Sequence, residues 1–374
     1  MRKIFNLLFL LFIFIIPQIS LEYWGNAKYG FGIILIIYIL HFVVSKKHLI
    51  NGKTILYPSL FLIYALFTII LSENNDKGIW IFRLLTLLLV TVSFSFYFNN
   101  YSNLYTFFKG YYLGVIFAAF QIIYVFFFAP QSLIVEGRAN ILGIDSNESS
   151  ILLSVGFVIG LYLYNLTKKK FILFSQLFVI YAIILTFSRT GVISLLFIIL
   201  FYAWFKLKGI KKYAAISFLI IGFLFILSNL EKPAHNGGLQ FLTPTGKLDL
   251  SGRDLIWSTG FEIFKESDKK IFGFGIDTFS TELDKKLFGA NAHNVFLKIL
   301  FELGIVGISL FLLMLVHLLV NMRRIIKHSK TPILLFCVLL FSFFTLSWIY
   351  TLHIWIFLVL LQRYTALLRF QNQH

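Results

Sequence analysis

Three arginines and one histidine carry the chemistry this sequence could do. Arg138 stands in "EGRANILGIDSNESS", Arg189 in "TFSRTG", Arg253 in "SGRDLIW" and His293 in "NAHNVF". A guanidinium keeps its proton at any physiological pH and meets phosphate oxygens through two parallel N–H bonds. A neutral imidazole within reach of a hydroxyl is suited to take its proton, since its ordinary pKa lies near neutrality. Arginines can therefore stabilise charge on a departing phosphate while a histidine activates an acceptor. The sequence offers no Asp-x-Asp pair of the kind that holds a divalent cation, so the expectation is a site with no metal and no cofactor.

Each of these residues has a plainer reading beside the chemical one. An interfacial arginine can be a snorkelling anchor. Arg253 can pair with Asp254, Asp249 or Glu262, and His293 can be satisfied by backbone or water. His235 in "AHNGG" imitates the His-Asn pair but has neither a helix nor glycines behind it, and His41, His317 and His353 have no clustered partners. The many Phe and Tyr residues are lipid-facing bulk and interface belts before they are sugar platforms. Trp257 is the aromatic best placed to meet a substrate.

The elements that must position these groups follow from composition. Of 374 residues 59% are hydrophobic and 13% charged, about half the charge of a soluble domain. The bilayer is therefore the expected solvent, and the fold class is an all-α integral membrane protein. With roughly 20 apolar residues per crossing, about twelve spans are expected: 3–20, 30–45, 55–71, 79–98, 108–129, 149–166, 171–187, 190–206, 213–230, 294–320, 332–349 and 352–367. The basic, apolar start reads as an uncleaved first helix. "SKKHLINGK", "TKKK", "KLKGIKK" and "MRRIIKHSK" all fall on one side of this count. Positive charge marks the cytoplasmic face, so both termini are expected there. The net charge of +17 belongs mostly to these anchors, and nucleic acid is not an expected partner.

This topology constrains Arg189. One continuous helix over 171–205 would leave "KKK" and "KLKGIKK" on opposite sides of the membrane. Two short helices meeting at Ser188-Arg189-Thr190-Gly191 keep both clusters inside and put Arg189 at an external turn, for which Ser188 and Gly191 are suited.

The whole chain reads as a single polytopic membrane domain, 1–374, with one large external loop over 231–292 between spans nine and ten. That loop holds eight basic and nine acidic residues, unlike the basic loops opposite, and its length points to function. Within it, "RDLIWSTGFEIFKES" has helical spacing with Ser251 as N-cap, and "FGFGIDTF" reads as a glycine-hinged turn back toward the membrane. His293, Leu297, Leu300, Gly304 and Gly307 recur at helical intervals, so they share one face of span ten. The two glycines would admit a neighbouring helix. Lys298 and Glu302 form an i,i+4 pair on another face.

These pieces together resemble the O-antigen ligase and O-antigen polymerase family of bacterial membrane glycosyltransferases. His293-Asn294, nine residues, then Gly304-x-x-Gly307 is similar to the ligase-type histidine motif. "SGRDLIW", "GFGIDTF" and "AHN" follow the order of the family's external loop, and "TFSRTG" looks like its membrane arginine turn. The family-like catalytic region spans about 130–310. The resemblance implies an inverting, metal-independent transfer of a glycan from undecaprenyl diphosphate to an acceptor hydroxyl. The active site would face the periplasm or outside of a bacterial cytoplasmic (inner) membrane. It carries His293, Arg189 and Arg253 as catalytic residues, with Arg138, Asn294 and Trp257 contacting diphosphate or sugar. Implied partners are the lipid-linked donor, a glycan or lipid A core acceptor, membrane lipid and a chain-length regulator. The short external loop favours a surface polysaccharide polymerase, and the histidine motif favours a ligase in lipopolysaccharide biosynthesis. A flippase of lipid-linked sugar is the alternative of another class, though no duplication between halves supports it.

Overall fold

The computed structural model describes residues 11, 13–18, 52–72, 76–128, 145–210, 212–214, 217, 221, 222, 253–284 and 291–371. Every regular element among them is a helix. The α-helices whose bounds fall among the described residues are α1 (Gly52–Thr68), α2 (Lys77–Tyr97), α3 (Tyr101–Phe128), α4 (Ser146–Thr167), α5 (Lys170–Leu185), α6 (Arg189–Lys206), α7 (Arg253–Glu266), α8 (Phe279–Asp284), α9 (Val295–Arg323), α10 (Thr331–Phe343) and α11 (Leu352–Gln371). Among the described residues six helices, α2, α3, α4, α6, α9 and α11, are long and apolar enough to cross a membrane, and α1, α5 and α10 are shorter apolar helices. Nine of the expected spans thus coincide with described helices. The other three, 3–20, 30–45 and 213–230, fall mainly outside the described residues, as do Arg138, Ser251, His41 and His235.

The chain divides into two units. One comprises 1–28, 102–238 and 329–342, the other 29–101, 239–328 and 343–374.

In the first unit α4 is the central helix, packed against α5 and α6. Its N-terminus is fixed by Asp145, whose carboxylate accepts from the Asn147 N–H at 2.8 Å, satisfying a donor that has no partner within the helix. It ends at Lys168, which adopts the left-handed conformation (φ 56°). The Tyr112 hydroxyl lies 2.7 Å from Ser175 Oγ, tying α3 to α5.

In the second unit α11 is buried over most of its length, with Gln362 and Arg363 buried among its apolar residues. Trp355 anchors it, stacked on Phe61 with centroids 5.6 Å apart and donating to the Ile349 carbonyl at 2.8 Å. The apolar run expected to stay helical to 349 leaves the helix at Phe343. Beyond it the Thr351 N–H and hydroxyl both bond to the Trp348 carbonyl, at 2.9 and 2.8 Å, so the chain turns there. Outside the apolar helices, α7 and α8 enclose a small core of their own. Phe264, Phe274, Phe279, Leu283, Ala292 and Phe301 are its buried members. Gly260 permits it, since a Cβ there would come within 3.0 Å of the Phe279 ring.

Candidate functional site

Two of the sequence-assigned catalytic residues, Arg253 and His293, lie in the second unit. Arg253 opens α7, and Trp257 follows one turn later, about 6 Å along the axis. The Trp257 indole N–H donates to the Ala292 carbonyl at 2.7 Å. That bond pins the first turn of α7 to the residue immediately before His293. The assigned sugar contact therefore has a structural partner on its polar edge, leaving the ring faces as its apolar surface.

His293 is half-buried and adopts φ 44°, a left-handed conformation that few non-glycine residues take. Asn294 then starts α9. The Asn294 Oδ1 accepts from the Leu297 N–H at 3.1 Å, the ordinary duty of a helix N-cap. Asparagine beside the histidine thus fixes the direction in which α9 departs.

The shared glycine face expected for span ten does not exist as one continuous helix. Gly304 has φ 66° and ψ −165° and breaks α9. The backbone that approaches there is the turn over 269–275, where a helix was expected. Phe274 and Gly275 N–H donate to the Phe301 and Glu302 carbonyls at 3.0 and 2.9 Å, and the Ile305 and Val306 N–H donate to the Lys270 and Ile271 carbonyls at 2.9 and 3.2 Å. Four backbone groups at the break thus find partners in the turn, as apolar surroundings demand. Gly273 (φ 79°) and Gly304 lie against each other so closely that a Cβ on either would collide with backbone. "FGFG" is the glycine-hinged turn expected from the sequence, and its destination is the break in α9.

Behind the break lies a polar cluster that spacing showed only in part. Lys298 Nζ and Glu302 Oε1 are 3.6 Å apart with both side chains buried, as their i,i+4 spacing suggests. Tyr350 donates to Glu302 Oε2 at 3.0 Å. Burial first, and then the Glu302 charge, hold the Tyr350 phenol well above its ordinary pKa, so it remains a donor. Trp80 donates to Asp277 at 3.0 Å, Ser72 to the Ile276 carbonyl at 2.9 Å, and Tyr64 to the Leu303 carbonyl at 2.9 Å. None of these long-range partners leaves a mark in local sequence spacing. Glycines in "FGFG" and "ELG" were the only signal that two backbones meet. Among the described residues, no three His, Cys, Asp or Glu side chains converge to hold a metal ion.

Arg189 lies in the first unit. Helix α5 ends at Leu185 and α6 begins at Arg189, with Phe187 at φ 48° between them. The split of this apolar stretch into two helices is as the charge pattern predicts. Ser188 caps α6, accepting from the Gly191 N–H at 3.2 Å. Its hydroxyl donates to Asn147 Oδ1 at 2.8 Å and accepts from Ser150 at 3.0 Å, joining the starts of α4 and α6. Gly191 serves packing instead of the turn, since it lies inside α6 where a Cβ would strike Ser150. With Ser188 and Thr190 buried, the exposed side chain at this junction is Arg189.

A family model described as O-antigen ligase matches residues 174–312. The match takes in 139 of the 374 residues and makes this segment similar to that family. It runs from α5 to the middle of α9 and includes Arg189, Arg253, Trp257, His293, Asn294 and the Gly304 break, while Arg138 precedes it. No curated protein matches the chain. The segment similar to O-antigen ligase lies among apolar helices, several of them long enough to cross a membrane.

Proposed function

We propose that the chain is a surface polysaccharide polymerase. It joins an undecaprenyl-diphosphate-linked glycan to the hydroxyl of an acceptor glycan at the external face of the cytoplasmic membrane. Arg189 and Arg253 take the charge of the departing diphosphate, with Arg138 as a further contact. His293 accepts the acceptor hydroxyl's proton as the glycosidic bond to the anomeric carbon forms and the bond to diphosphate breaks, with inversion. The observation that supports this most is the Trp257 to Ala292 bond, which fixes the arginine-bearing α7 to the histidine turn. The twelve-span topology with both termini inside is part of this proposal. A ligase delivering the finished chain to lipid A core is the second reading, favoured by the family description.

The test is reconstitution with a polyprenyl-diphosphate oligosaccharide and two acceptors, a second lipid-linked repeat and a core oligosaccharide. Growth of chains on the lipid-linked repeat is the expected result, and labelling of core alone would replace polymerase by ligase. Removal of one donor to the developing charge costs about a hundredfold or more in kcat, so Arg253→Ala should be nearly silent. Movement of lipid across the bilayer without transfer by the wild type would refute the enzyme.

A further inference from the structure

We infer that Glu302 is a positioning residue for His293, an inference that rests on the transfer reading above. His293 leads directly into the first half of α9, which runs from Val295 to Leu303 and stops at Gly304. A helix severed at that point is not aimed by its second half, because the φ and ψ of Gly304 interrupt the ladder. Its direction must come from what grips its far end, and Glu302 is the side chain gripped there.

Glu302 is fully buried and joins three separate parts of the second unit. Its side chain accepts from Tyr350, in the connection between α10 and α11, and faces Lys298 one turn nearer to His293. Its backbone carbonyl accepts from Gly275. The same turn carries Asp277, held by Trp80 of α2, and Ile276, whose carbonyl is held by Ser72. The Trp80 and Tyr350 rings meet edge to face at 5.4 Å, so the two anchors brace each other. Lys298 in turn donates its backbone N–H to Asn294 at 3.0 Å. An ion pair and one helix hydrogen bond therefore link the anchored carboxylate to the cap beside the histidine. A buried carboxylate is costly unless its charge is met by a cation and hydrogen bonds. Here Lys298 and Tyr350 meet it from fixed directions, which is what sets orientation.

The experiment uses the full-length protein with Cys337 replaced by serine and a nitroxide attached through Asn291→Cys, an exposed site two residues before His293. Glu302→Gln keeps the size and an acceptor for Tyr350 but leaves Lys298 unmatched. A misplacement of about 1 Å costs on the order of a hundredfold in rate. The expected result is therefore a kcat lower by about tenfold to a hundredfold, a donor KM unchanged within about twofold, and a narrower, more mobile nitroxide line. Tyr350→Phe, which preserves the Lys298–Glu302 pair, should move both readouts in the same direction and carries the test if Glu302→Gln does not fold. A raised KM with unchanged kcat would overturn the inference, as would unaltered kcat and line shape. If the wild type transfers no glycan but the line still narrows, positioning of the histidine turn stands and the transfer reading falls.

Discussion

Replacing Gly304 by alanine should release the junction between the turn over 269–275 and α9. The residue sits at φ 66°, ψ −165°, a region essentially reserved for glycine, and forcing another residue into it costs about 1–3 kcal/mol. The new Cβ would also collide with the Ile271 carbonyl and the Gly273 N–H. The turn must then move away, stretching the four backbone bonds made by Phe274, Gly275, Ile305 and Val306. Each is worth about 1 kcal/mol net. If half are lost, the sum is about 3–5 kcal/mol, which lowers Tm by roughly 6–15 °C at about 2–3 °C per kcal/mol. The assay is thermal unfolding in detergent micelles, followed by tryptophan emission, since Trp80 donates to Asp277 just beyond the affected turn. Gly78→Ala is the control. A Cβ there meets nothing within 4 Å, and alanine is the better helix former by about 1 kcal/mol, so the control should hold or raise Tm. A Gly304→Ala protein melting within about 1 °C of wild type would refute the description of the break.

Further expectations concern residues of each unit. Trp257→Phe removes the 2.7 Å bond to Ala292 and leaves a carbonyl wanting, at about 1–3 kcal/mol. Rates of glycan transfer should fall in proportion more than donor affinity. Ser188→Ala deletes a helix cap and two side-chain bonds, costing about 1–2 kcal/mol in an unfolding titration. Arg189→Lys keeps the charge but loses the bidentate fork, so donor KM should rise by about tenfold, the equivalent of 1.4 kcal/mol, in a concentration series of lipid-linked substrate.

The sequence was most readable where charge and periodicity act locally. The division of the apolar stretch at Ser188 followed from where lysines must lie, and the helix over Arg253–Glu266 followed from its apolar spacing. The Lys298–Glu302 pair was likewise visible as an i,i+4 interval. The break at Gly304 was not, because the residues after it are as apolar as those before it and helical periodicity continues through both. What interrupts the helix is a turn some thirty positions earlier, and hydropathy carries no record of which backbones exchange bonds. Gly191 was misread for a related reason. Its proximity to a turn suggested conformational freedom, whereas the neighbour that requires glycine is Ser150 on another helix.

The order of the junction's partners along the chain bears on biosynthesis. The turn over 269–275 precedes its partner strand of backbone, 301–306, so it has left the ribosome before α9 is complete. A chain is made N-terminus first, and the docking platform is therefore available when Gly304 emerges. The 19 residues from Ile305 to Arg323 are by themselves about the length that crosses a bilayer. Membrane insertion can commit that stretch alone, leaving the segment from Val295 to Leu303 to be captured by a platform already in place.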